Sequence, residues 1–149
     1  MRRTPLSERV LPDYTHGEEI ANMTTHIIGG GLGVILLFLT VIISAFNRDI
    51  WSIIGSFIYG FSMIALYTVS SIYHGLKPGL AKKVMQVIDH RTIYLLIVGT
   101  YTPILLSAMR PEYPVLAWTV LGAEWLLAGV AATFTAIDHN KYKKLSMVF

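Results

Sequence analysis

The chain has 149 residues, enough for one domain. Of these, 54% are apolar and only 14% charged, against about 25% charged in soluble domains, so there is too little charge to clothe a water-facing surface. The net charge of +3 is modest, and no basic and aromatic residues interleave as nucleic-acid binding would require. Cysteine is absent, which excludes a disulfide framework and leaves His, Asp, Glu and water as the only donors for a metal.

The first 19 residues, MRRTPLSERVLPDYTHGEE, are polar and have no apolar core behind Arg2 and Arg3, so they read as a tail and not as a cleaved leader. Four apolar segments follow, at about 20–46, 51–74, 84–106 and 115–137. Each reaches the roughly 20 residues that a helix needs to cross the hydrocarbon. The expected fold is therefore all-α, a polytopic transmembrane helical bundle. The connections are short and rich in turn signals: Asn47-Arg48-Asp49, then Gly75-Leu-Lys-Pro-Gly79, then Arg110-Pro111-Glu-Tyr-Pro114. Short connections make consecutive helices antiparallel neighbours. After Lys144 the residues 145–149, Leu-Ser-Met-Val-Phe, read as the start of a fifth helix, and the chain as the N-terminal part of something longer.

Basic residues give the expected direction. Arg2, Arg3, Arg9, Lys77, Lys82, Lys83, Lys141, Lys143 and Lys144 fall on one side, and Arg48 and Arg110 on the other. Nine against two places the N-terminus in the cytoplasm. Within the spans, Gly29 and Gly33 have the GxxxG spacing of close helix packing. Pro103 is expected to kink or end the third helix. Trp51 and Trp118 fall where an aromatic belt belongs.

Polar groups inside such helices are costly and need a partner or a purpose. Ser70 and His74, four residues apart, share one face of the second helix near its cytoplasmic end. His74 reads either as a metal ligand, with Ser70 one turn deeper to hydrogen-bond a ligand or water, or as an interfacial imidazole reaching water. Asp89, on the third helix at the same depth, reads either as the carboxylate of a metal or general-base site or as half of an ion pair with Arg91 or Lys83. His90 and Arg91 point to other faces and read as headgroup contacts. His26, with Glu19 and Asn22 on its approximate face, reads as structural hydrogen bonding or as a polar network near the same site. Glu124, in the middle of the fourth helix, is either protonated or turned to the bundle interior, and carries no assigned catalytic role.

The ordered set Glu19-x-x-Asn22-x-x-Thr25-His26, Ser70-x-x-x-His74, Asp89-His-x-x-Ile93-Tyr and Gly99-Thr-Tyr-Thr-Pro103 resembles the hemolysin III family, from about Leu11 to Phe149. That family belongs with the progestin and adipoQ receptors and is similar to the group containing alkaline ceramidases. The resemblance implies a seven-helix bundle in the bacterial plasma membrane, of which this chain holds four spans and the start of a fifth. It also implies a zinc ion near the cytoplasmic face, with His74 as a ligand, Asp89 orienting the zinc-bound water and Ser70 behind them. The family's other two zinc ligands form a His-x-x-x-His pair on the seventh helix. No such pair occurs here, and His139 is a lone loop residue, so the zinc site is incomplete and the chain by itself is expected to bind zinc weakly or not at all. Three functions follow as alternatives: a zinc-dependent hydrolase of a lipid amide or ester, a cytolytic pore former, and a non-enzymatic lipid-sensing receptor or regulator. Membrane lipids are the expected partners in all three.

Overall fold

The computed structural model describes residues 5–137. The sequence features at Arg2, Arg3, His139, Lys141, Lys143, Lys144 and 145–149 lie outside those residues.

Thr15 starts the first helix, α1 (His16–Phe46), through a capping box. Its hydroxyl accepts the Glu18 backbone N–H at 3.3 Å, while the Glu18 carboxylate accepts the Thr15 N–H at 2.8 Å. The helix thus begins four residues before the apolar run at Ile20, because the cap, not hydrophobicity, sets the boundary. The turn at Arg48 takes a left-handed φ of 55°, and Asp49 then caps α2 (Ile50–Gly75) by accepting the Trp51 N–H at 3.1 Å. The third helix, α3 (Leu80–Pro103), also starts ahead of the apolar run and ends on Pro103. A π-helical turn over Ile104–Met109 extends it, and the Arg110 N–H bonds back five residues to the Leu105 carbonyl at 2.9 Å. Helix α4 (Pro114–Ile137) opens on proline, whose missing N–H costs nothing in the first turn.

All four helices are long and apolar enough to cross a membrane, with α3 and the π-helical turn counting as one span, Leu80–Met109. Among the described residues each helix packs chiefly on its neighbours in the chain, α1 on α2, α2 on α3 and α3 on α4. Large apolar side chains such as Phe38 (63% exposed) and Leu126 (67%) face outward, as lipid-facing residues do. The interior combines larger side chains such as Tyr94, Val98, Leu105 and Leu106 with small and polar residues at helix contacts. Ser62 and Ala131 are fully buried, and the Ser44 and Ser56 hydroxyls lie 3.1 Å apart between α1 and α2. Gly29 and Gly33 lie against Tyr67 and Ile64 of α2, so the GxxxG face is the α1–α2 contact.

At one end of the bundle Trp51 and Trp118 meet edge to face at 5.2 Å, and the Arg110 guanidinium lies 5.0 Å from the Trp51 ring. At the other end Arg9 donates to the Ala136 and Ile137 carbonyls at the C-terminus of α4, where a cation is favoured. That second end also holds the start of α1, the end of α2 and the start of α3, and there the polar residues gather.

Candidate functional site

The α1–α2 and α2–α3 turns return the chain so that Glu19, His74 and Lys82 come to one level on three helices. The His74 Nδ1 lies 2.7 Å from Glu19 Oε2, and Lys82 Nζ donates to Glu19 Oε1 at 2.6 Å. Lys82 also donates to the Leu76 carbonyl at 3.0 Å, which satisfies the C-terminus of α2, and stands 5.1 Å from the centre of the Tyr73 ring. The His74 side chain is 8% exposed and that of Lys82 4%. An ammonium so shielded from water is tolerated only because carboxylate, carbonyl and aromatic face replace its hydration.

Aromatic rings enclose His74. Tyr73 meets it edge-on at 4.7 Å, Tyr14 lies at 5.7 Å, and the His26 ring stacks on it at 5.7 Å with 30° between planes. His26 donates from Nδ1 to its own helix, to the Asn22 carbonyl at 2.6 Å. Both expectations for His26 therefore hold in part: its hydrogen bond is structural, and its ring belongs to the polar network. Residues Tyr14, His16, Glu19, Met23, His74 and Lys82 are among those that line a groove of about 400 Å³.

Ser70 is buried one turn before His74 on α2. Asp89 is mostly shielded, its side chain 15% exposed, with Oδ2 4.0 Å from His90 Nδ1 and its backbone carbonyl accepting from Thr92 at 2.7 Å. The sequence set Asp89 opposite His74, whereas the partner at hydrogen-bond distance is Glu19. His90 Nδ1 donates to the Gln86 carbonyl at 2.8 Å. Glu124 keeps one carboxyl oxygen, Oε2, buried without a hydrogen-bond partner among the described residues. Lys82 escaped the sequence reading, which counted it only as a topology charge. Its signal would have been a lysine inside a helix's first turn, but its partner is 63 residues away and no local spacing encodes that.

For zinc, the donor chemistry fits in part. His74 offers a shielded imidazole beside a carboxylate, the usual setting of a histidine ligand. Among the described residues, however, no group of three or more His, Asp or Glu is placed to hold an ion together. A zinc ion at His74 would need further donors from outside the described residues.

Four spans and a polar site at one end of them define an integral membrane protein of the helical-bundle class. Within that class the chain belongs to the haemolysin III family: the family model described as Haemolysin-III related matches residues 14–149. It is 39% identical over 115 residues to Hemolysin-3 homolog of Bacillus subtilis, covering 77% of this chain and 53% of the relative. It is 39% identical over 129 residues to Hemolysin-3 of Bacillus cereus, covering 87% and 58%. Human Monocyte to macrophage differentiation factor is 28% identical over 153 residues, covering 99% and 60%. The chain thus spans little more than half the length of the bacterial relatives. No solved structure matches it significantly.

Proposed function

We propose that the chain carries part of the zinc site of a membrane hydrolase acting on a lipid amide or ester, with the groove and the N-terminus on the cytoplasmic side of a bacterial plasma membrane. The observation that carries this reading is the placement of His74, shielded and paired with Glu19, at the wall of a mostly apolar groove at the end of the spans. A lipid lying against the outward apolar faces could enter such a groove by its headgroup end. His74 is the ligand this chain contributes. Asp89, mostly shielded on the adjacent helix, is the group proposed to accept a proton from the attacking water, and Ser70 a hydrogen-bonding residue behind His74. Bound there, zinc supplies the Lewis acidity that activates water near neutral pH.

The test uses the protein expressed from its complete gene and purified into lipid bilayers. Zinc content is measured by mass spectrometry, and release of fatty acid from a ceramide by chromatography. The expected result is that His74→Ala loses both zinc and turnover. Turnover unchanged in that variant would sink the reading. The bacterial relatives' name points instead to cytolysis; dye release from liposomes above that of an unrelated membrane protein, with no lipid turnover, is the outcome that would favour it.

A further inference from the structure

We infer that Glu19, held by Lys82, is a positioning residue that fixes the tautomer of His74 so that Nε2 keeps its lone pair. The inference deepens the zinc reading and rests on it for its purpose, but its geometry stands apart from it. A carboxylate has no hydrogen to give, so at 2.7 Å the hydrogen between Glu19 Oε2 and His74 must sit on Nδ1. In the neutral ring that assigns the lone pair to Nε2, the nitrogen a ligand or a proton would meet. Left alone, a neutral imidazole exchanges between its two tautomers, and the exchange would empty the donor nitrogen for part of the time.

Lys82 makes the assignment firm. Its ammonium occupies the other carboxylate oxygen at 2.6 Å, so Glu19 is paired as an anion and cannot present a carboxylic O–H to His74. The Leu76 carbonyl and the Tyr73 ring anchor Lys82 in turn, so the device spans α1, α2 and α3. The rings of Tyr14, Tyr73 and His26 restrict rotation of the imidazole. A purely structural salt bridge would need Glu19 and Lys82 but would not need His74 on the second oxygen. The fork on Glu19, one oxygen to the cation and one to the imidazole, is the arrangement that orients a ligand.

The test is direct on the chain itself. The ¹⁵N shifts of His74 are recorded in histidine-labelled protein in lipid bilayers, with the resonance assigned by its disappearance in His74→Asn. The expected result is one tautomer, with Nδ1 protonated and Nε2 bare. A wild-type resonance with Nε2 protonated would overturn the inference without any variant. The double variant Glu19→Leu with Lys82→Met removes both charges together, which spares the fold an unpaired ion, and removes the acceptor for Nδ1–H. It is expected to show both tautomers, and a ring still locked on Nδ1–H in it would count against Glu19 as the cause. In the protein from the complete gene, the same double variant is expected to weaken zinc affinity by about 10–100-fold. A shifted tautomer with zinc retention unaffected by His74→Ala upholds the positioning and overturns the zinc reading beneath it.

Discussion

Asp49 lies one residue ahead of α2, and its carboxylate collects three partners. The Ser52 hydroxyl donates to one oxygen, the Trp51 N–H to the other at 3.1 Å, and the Arg110 guanidinium lies 4.0 Å away. The Ser52 hydroxyl, foremost, with the Trp51 and Ser52 backbone N–H groups and the Arg110 charge, holds the carboxyl below the usual aspartate range against a smaller opposing effect of desolvation. A carboxyl whose folded value is depressed contributes stability that is fully present above its unfolded pKa, about 3.9. That stability is lost as pH falls through the lower folded value. Asp49→Ala should therefore melt below wild type at pH 7, and the gap between the two should close as pH is lowered past 4, on the scale of about one carboxylate titration. Thermal unfolding in detergent across that range measures the gap, which isolates Asp49 from the other acids. A gap that persists unchanged at low pH would show that Asp49 acts by something other than its charge.

Helices α2 and α3 touch through glycines. A Cβ on Gly55 would stand 2.7 Å from the Cα of Pro103, and one on Gly99 would strike the Ser62 side chain. Pro103 is a backbone obstacle at the start of the π-helical turn and has no flexible end to move aside. Gly55→Ala should therefore cost about 1–3 kcal/mol through overpacking, despite the better helix propensity of alanine. Gly129→Ala on α4, where nothing lies within 4 Å, should be neutral or stabilising by up to about 1 kcal/mol. Unfolding of the two variants side by side decides the matter, and equal stabilities would refute the tight seam. The helices themselves were legible in the sequence because unbroken apolar length is enough to announce a span. The Gly29 and Gly33 pair was legible from its spacing. The Gly55 and Gly99 contacts were not, since a single glycine does not say what it faces, and Pro103 by itself does not say that the turn after it widens to a π-helix.

Across the whole molecule, antiparallel turns bring the start of α1, the end of α2 and the start of α3 to one level. The sequence could read that level from the spans, with Glu19, His74 and Asp89 on three helices near it. It could not read direction around each helix axis. His74 was therefore matched to Asp89 on one neighbour, when the rotation of α2 turns its Nδ1 to Glu19 on the other. Lys82 shows the same limit, for a charge counted toward topology is 4% exposed and donates to Glu19 and to the Leu76 carbonyl inside the bundle. Lys82 and Arg9 on one side and Arg110 on the other are engaged internally, so the sequence count without them is seven basic residues against Arg48. The proposed direction has a clean test because the sequence holds no cysteine. Asp13 precedes α1 at the groove end and Glu112 lies between α3 and α4 at the opposite end, and both are exposed. Neither is a lysine or arginine, so replacing either leaves the topological signal intact. In intact bacterial cells a membrane-impermeant maleimide should label Glu112→Cys and spare Asp13→Cys until the cells are opened. Labelling of Asp13→Cys from outside would turn the protein over, and would move the groove, with His74, Glu19 and Lys82, to the face opposite the cytoplasm.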